Sequence, residues 1–270
     1  MFPAERRRRI AELIKQRGTI TVSELSQLFS VSEMTIHRDL AYLQELNILE
    51  KSYGGVLAKP SLTMEPDFAE RLKSCASEKQ DIARRAAEMV EDGDCLIVDP
   101  STTCLALAQQ LRAKRNLTVF VLGPHTLMEL LAAPGITLLC IGGQFNTRTM
   151  SVTGPEAEHF LSQIHVDKCF IGANSISAQR GVSDPFPMEA SVKRRAVEAA
   201  NQTILLADHT KFGRESLIVT VPLEAIDVVV TDSKTPEIYY SEIAAKGVKV
   251  VIAAEGSEQR QPPLVTVAAS

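Results

Sequence analysis

The chain has 270 residues, 45% of them hydrophobic and 23% charged, with a mean hydropathy of +0.02. These proportions belong to a globular protein and exclude disorder and fibrous repeats, while the length suits a large domain plus a small one. The net charge of −4 is unevenly placed: residues 1–59 carry nine Lys and Arg against seven Asp and Glu, and the remainder twenty against twenty-six, so a nucleic-acid partner stays open for the N-terminal segment only.

Met1-Phe2-Pro3-Ala4-Glu5 runs into Arg6-Arg7-Arg8-Arg9 with no apolar stretch behind it, which reads against a secretory signal. Ile10, Leu13 and Ile14 fall at i, i+3, i+4 on a first helix that Gly18 stops. A second helix starting near residues 21–23 places Leu25, Leu28 and Phe29 on one face. After the turn Ser30-Val31-Ser32, Ser32 is a good N-cap for a third helix from 33 to about 46, with Ile36, Leu40 and Leu43 inward. Residues 48–57 suggest two short strands around a glycine turn. Residues 59–76, with Pro60 and Pro66 and no clear period, read as a linker.

From Glu78 the pattern alternates. Ile82, Ala86, Met89 and Val90 mark a helix ending at Asp92-Gly93, and 95–99 is a short buried strand. Helices over 103–111, 126–133, 155–164, 188–200 and 236–246 alternate with strands over 117–122, 136–141, 167–172, 203–207, 226–231 and 248–253. This predicts an α/β domain with a mostly parallel sheet covered on both faces, and such sheets bind ligands at the carboxyl ends of their strands. The expected division is therefore 1–58, a linker over 59–76, an α/β domain over 77–254 and a loose tail over 255–270. No internal repeat is found, and no apolar run approaches the roughly 18 residues a membrane span needs. Five cysteines (Cys75, Cys95, Cys104, Cys140, Cys169), odd in number and without a C-x-x-C pair, exclude a disulfide framework or zinc ribbon and point to the cytoplasm.

Two helices joined by a tight turn make a helix-turn-helix candidate. A DNA reader needs polar side chains on the exposed first turns of its second helix, which enter the major groove. Here those positions are Ser32, Glu33, Thr35, His37 and Arg38. Arg38 can fork onto guanine or clamp a phosphate, and Thr35 and His37 can donate to either. Lys51 and Tyr53, at the turn containing Gly54, sit where a wing reaches an adjacent backbone. The alternative is a small helical bundle serving as a dimerisation module.

These residues are also familiar as a set. Residues 5–10, Thr21-Val22-Ser23-Glu24-Leu25, the run from Val31 through Arg38 to Leu40, and Tyr53-Gly54-Gly55-Val56 closely resemble the DeoR family of bacterial transcriptional regulators. The likeness continues to about residue 254. It implies a winged helix-turn-helix followed by an effector domain similar in fold to ribose-phosphate isomerase and held to bind sugar phosphates. His37 stands where the family usually has arginine, which keeps a donor but removes a permanent charge and a fork. Arg6–Arg9 is either a solvated helix start or a minor phosphate contact.

In the second domain the most informative loop is Asp99-Pro100-Ser101-Thr102-Thr103, between a strand and the helix it feeds. Hydroxyls and free N–H groups there suit an anion; alternatively Ser101 or Thr102 only caps the helix. Later strand ends supply Gly143 with Arg148 beyond it, Gly172 and Asn174, and Asp208 followed by Lys211. Glu189 and Lys193, at i, i+4, share a helix face; the alternative to a place in the site is a surface ion pair. By resemblance Lys193, Asp208 and Lys211 lie around the pocket, with a lysine near the phosphate.

Three segments depart from the family pattern. Ser101 replaces a usual glycine, and Leu122-Gly123-Pro124-His125 a usual Thr-Asn-Ser. Gly172-Ala173-Asn174-Ser175 replaces Gly-Ala-Asp-Gly, and Asn174 cannot act as the base an isomerase would want. No hydrolase, Walker or dinucleotide motif occurs in a fitting context, and the scattered histidines lack metal-ligand spacing. The sequence is thus expected to encode a cytoplasmic, homo-oligomeric repressor with no metal, cofactor or catalytic residue. It would bind a double-stranded operator and leave it when a phosphorylated sugar binds. The alternative is an isomerase-like enzyme with an accessory helical module.

Overall fold

The computed structural model describes residues 2–17, 19–45, 49–52, 55–58 and 62–256, and the chain forms two units that part between Ser61 and Leu62. The first holds helices α1 (Pro3–Arg17), α2 (Val22–Phe29) and α3 (Glu33–Glu45) with strands β1 (Thr19–Ile20), β2 (Leu49–Ser52) and β3 (Gly55–Ala58), in the antiparallel order β1-β3-β2. Strand β1 has no sequence signal, because two residues carry no period. It exists through its pairing with Leu57 and Val56.

Helix α2 starts on a capping box. The Thr21 hydroxyl accepts from the Glu24 N–H at 3.2 Å, and the Glu24 carboxylate accepts from the Thr21 N–H at 2.8 Å. It ends where Ser30 turns left-handed at φ 51°. Among the described residues Ile10, Ile14, Ile20, Leu25, Ile36, Leu40 and Leu43 pack together as a core. A buried ion cluster adds to it. Asp39, 1% exposed, accepts from Arg6 Nε at 2.6 Å and from Arg7 Nε at 2.7 Å. The Arg7 guanidinium also lies 4.0 Å from the centre of the Tyr42 ring. Arg6 and Arg7 are thus tied to α3, which favours a structural role for these two, whereas Arg9 makes only an exposed pair with Glu5 at 2.9 Å.

The second unit is built on seven parallel strands in the order β15-β14-β12-β9-β4-β5-β6. In chain order it runs α4 (Phe68–Lys73), α5 (Ala76–Ala87), β4 (Cys95–Val98), α6 (Thr102–Leu111), β5 (Leu117–Val121), α7 (Pro124–Leu130) and β6 (Ile136–Cys140). There follow β7 (Gln144–Asn146), β8 (Ser151–Thr153), α8 (Pro155–Leu161), β9 (Val166–Gly172), β10 (Ser175–Ser177) and β11 (Gly181–Asp184). The chain closes with α9 (Pro187–Glu198), β12 (Ala200–Leu206), β13 (Ile218–Val221), β14 (Val228–Asp232), α10 (Glu237–Ala244) and β15 (Lys249–Ala253). Side chains alternate across the sheet. Ile97, Cys169, Ile171, Leu205 and Val229 face a core with Ala157, Val192 and Ile243 of α8–α10. Leu96, Val98, Phe170, Ile204 and Val230 face the opposite core with Ile82, Leu107 and Leu130 of α5–α7.

Two expectations are corrected here. Residues 62–76 are not a linker: α4 lies within them, Phe68 and Glu65 are buried, and the whole stretch belongs to the second unit. The alternation also missed the hairpin β7–β8 and the small antiparallel sheet β10-β11-β13. Within the predicted tail, residues 257–270 lie outside the described ones.

Candidate functional site

In the first unit the third helix presents the expected face. Ile36, Asp39, Leu40 and Leu43 are buried, whereas Ser32, Glu33, His37 and Arg38 are exposed and Thr35 is half-buried. Ser32 caps α3: its hydroxyl accepts from the Thr35 N–H at 3.3 Å and lies 3.0 Å from the Thr35 hydroxyl. Met34 adds an exposed apolar side chain to this helix. The backbone of Lys51 pairs with Val56 in the β2–β3 hairpin, whereas Tyr53 and Gly54 lie outside the described residues.

The second unit has a cleft at its topological switch point. From β4 the chain proceeds outward through β5 and β6, then returns to β9 on the other side of β4 and proceeds through β12, β14 and β15. Loops therefore part above the carboxyl ends of β4 and β9, which is where open parallel sheets bind ligands. Pro100, Ser101, Leu122, Ile171, Gly172, Ala173 and Asn174 line the cleft with six ionisable groups: Glu65, Arg71, Asp99, Asp184, Glu189 and Lys193.

At its centre lies a buried ionic cluster. Lys193 Nζ donates to Asp184 Oδ2 at 2.9 Å and to the Gly172 carbonyl at 3.0 Å, and lies 3.7 Å from Asp99 Oδ2. Burial opposes its charge, but the two carboxylates outweigh that and hold the ammonium above the usual lysine range. Asp99 is itself pushed up by burial, against the pull of Lys193. Its Oδ1 accepts from the Ser101 N–H at 2.7 Å, fixing the turn into α6. Ser101 then caps α6 by accepting from the Cys104 N–H at 3.3 Å. This loop sits so close to β9 that a Cβ on Gly172 would lie 2.4 Å from Ser101 Oγ.

Glu189 does not pair with Lys193 as a surface salt bridge. Its Oε1 accepts from Asn146 Nδ2 and Ser151 Oγ, each at 3.0 Å, and from the Thr149 hydroxyl, and burial raises its carboxyl above the usual range. Arg71 reaches Glu65 Oε1 at 3.0 Å and the Thr149 carbonyl at 3.2 Å, while its buried Nε has no hydrogen-bond partner.

Of the expected effector residues, Asp99, Ser101, Gly172, Asn174, Glu189 and Lys193 come together in this cleft. Thr102 and Thr103 are buried in the first turn of α6, so their side chains add no hydroxyls to the lining. Gly143 is a hairpin residue with φ 151°, where a Cβ would meet the Thr153 carbonyl at 2.5 Å. Exposed Arg148 is not in the lining; its guanidinium donates to the Glu65 carbonyl at 2.7 Å, and its N–H donates at 3.0 Å to Asn146 Oδ1, behind Glu189. Asp208 and Lys211 are not in the lining; they stand at the end of β12 beside Lys79.

Of the divergent segment 122–125, Leu122 alone reaches the cleft, and His125 is exposed on α7, stacked on Phe68 with ring centroids 4.3 Å apart. Sequence reasoning missed Glu65, Arg71, Thr149, Ser151 and Asp184. The first two lay in the supposed linker, and the other three in short segments without a period.

A DNA-reading helix in one unit and a ligand cleft in the other define a two-part transcriptional regulator. The comparisons agree: the DeoR-like helix-turn-helix domain matches residues 6–61 and the DeoR C-terminal sensor domain residues 74–233. The HTH-type transcriptional regulator GolR of Listeria innocua is 34% identical over 94% of this chain and 100% of its own length. A putative aga operon transcriptional repressor of Escherichia coli O157:H7 is 32% identical over 93% of this chain and 94% of its own length. The transcriptional repressor AccR of Agrobacterium fabrum is 35% identical over 86% and 90%. Among solved structures, a ribose 5-phosphate isomerase of Methanocaldococcus jannaschii aligns with TM-score 0.39 and 16% identity, covering 52% of this chain and 55% of its own. The chain belongs to the DeoR family of DNA-binding transcriptional regulators. Among the described residues no helix is long and apolar enough to cross a membrane.

Proposed function

We propose that the protein represses a carbohydrate catabolic operon from the cytoplasm, as a dimer or larger homo-oligomer, and is released from its operator by a phosphorylated sugar. The observation that carries the reading is the charge pattern of the cleft. Four carboxylates (Glu65, Asp99, Asp184, Glu189) stand against two cations (Arg71, Lys193), which suits a ligand rich in hydroxyl donors and repels an anion from most of the lining. A phosphate finds its place at the N-terminus of α6. There Ser101 satisfies the Cys104 N–H, and the N–H groups of Thr102 and Thr103 in the first turn have no partner within the helix. The unpartnered Arg71 Nε is a further donor for a ligand oxygen. For release to follow, the ligand has to favour an arrangement of the protein that holds DNA less well.

A thermal-shift screen of sugar phosphates against the full-length protein, followed by gel shifts with upstream DNA, tests this. One compound should raise the melting temperature and release the DNA, with no interconversion of aldose and ketose forms. A panel that neither shifts nor releases sinks the reading, and turnover would restore the isomerase alternative. Two variants sharpen it. Glu189→Gln keeps the shape of the side chain but removes a carboxylate acceptor for ligand hydroxyls, so ligand affinity should fall about tenfold with operator affinity unchanged, a loss of about 1.4 kcal/mol. Arg38→Ala should weaken operator binding by roughly 1–3 kcal/mol at fixed salt if the guanidinium reads a base edge. Full affinity in a folded Arg38→Ala protein removes Arg38 from the interface.

A further inference from the structure

We propose that Cys75, Asp208 and His209 form a binding site for a divalent transition-metal ion of the zinc class. The three residues lie outside the sugar-phosphate cleft. Cys75 occupies the junction between α4 and α5, and Asp208 and His209 follow β12. One ligating atom from each (the thiol sulfur, a carboxylate oxygen and an imidazole nitrogen) lies within 4.8 Å of the other two. Ligands of a tetrahedral zinc ion sit roughly 3.4–3.8 Å apart, from bonds of about 2.0–2.3 Å, so an ion has to draw these groups in by about 1 Å. Rotation of the partly exposed Cys75 and His209 side chains toward the buried Asp208 supplies that.

Neighbouring contacts are those a metal centre uses. His209 Nδ1 lies 3.0 Å from Asp232 Oδ1, and the His209 N–H donates to Asp232 Oδ2 at 2.7 Å. With Nδ1 engaged, Nε2 is the nitrogen left to ligate, and a carboxylate behind a ligating histidine fixes its tautomer and raises its basicity. Cys75 sits at φ 48° at the start of α5 and makes no capping bond with its side chain, so the helix does not employ the thiol. Sulfur, imidazole and carboxylate together select a zinc-like ion over calcium or magnesium, which prefer oxygen alone.

Lys79 and Lys211 also stand against Asp208 and resist an incoming cation; the thiolate and Asp232 supply two negative charges that offset them. On binding, the Cys75 proton leaves to solvent and a sulfur–metal bond replaces it. Three protein ligands leave one tetrahedral position for water or a ligand atom.

Titration of the metal-free full-length protein with cobalt(II) tests the site. The expected result is one equivalent bound with a thiolate-to-cobalt charge-transfer band. Cys75→Ser should abolish the band, and His209→Gln should weaken binding about 10–100-fold, independently of the thiol. Cys140→Ser, which alters an exposed thiol elsewhere, should change nothing. No band in the wild type, a band that survives Cys75→Ser, or a band lost with Cys140→Ser overturns the site.

Discussion

The Asp39→Ala variant is expected to unfold the first unit while the second remains folded. Asp39 is 1% exposed and is the acceptor for two guanidiniums, of which that of Arg6 is itself buried. Removing the carboxylate leaves an unpaired buried charge, which typically costs about 3–5 kcal/mol. A unit of about 60 residues has little stability beyond that to lose. Asp39→Asn retains the shape and one acceptor and should cost less. Hydrogen exchange followed by mass spectrometry on the full chain separates the outcomes. Protection should disappear across residues 2–45 and persist across 62–256, and operator binding should go with it. Undiminished protection in the Ala variant would show that the two arginines find water as readily as they find Asp39.

The second large effect concerns the close approach of two loops. In Gly172→Ala the new methyl would lie 2.4 Å from Ser101 Oγ and 2.5 Å from Ser101 Cβ, so β9 and the turn into α6 cannot both stay in place. Over-packing of this kind costs about 1–3 kcal/mol. It should also abolish the ligand response, because the displaced turn carries Asp99 and the open end of α6. Ser101→Gly removes both opposing atoms and, at an N-cap, costs only about a few tenths of a kcal/mol. The double variant should therefore recover most of the stability and of the response. Urea melts of the four proteins check this. If the two costs simply add, the contact is not the source of the damage.

The parts of the fold legible in the sequence are those whose burial repeats. The strands now seen at β4, β5, β9, β12, β14 and β15 are apolar runs between amphipathic helices, and their ends differ from the expected ones by a few residues. Helix α7 begins two residues before the periodicity places it, because Pro124 opens it, and proline is well suited to a first helical turn. Strands β10 and β11 were invisible for another reason. Ser175, Ser177, Gly181, Ser183 and Asp184 are all buried although none is apolar, so no hydrophobic pattern marks them.

The cleft divides in the same way. Asp99, Ser101, Gly172 and Lys193 stand at strand ends or on a helix face, where position alone suggests a site. Asp184 and Glu65 carry no such positional signal: each becomes part of the site through the cation that the fold sets against it, Lys193 for one and Arg71 for the other. The recognition helix was the most legible element of all, because capping, inward aliphatics and outward polar groups all fall within one short segment.

The strand order also has a consequence for how the molecule is made. Strands β4 and β9 are neighbours in the sheet, with Leu96 opposite Lys168, and the cleft between them closes only after α9 has delivered Lys193. Contacts of such long sequence separation form late, because loop closure precedes the gain they bring. The helices of the first unit make short-range contacts and leave the ribosome first, and domains generally fold as units in the order of synthesis. A nascent chain therefore completes its third helix well before the cleft exists. On the function proposed above, such a chain would hold DNA before any ligand could release it.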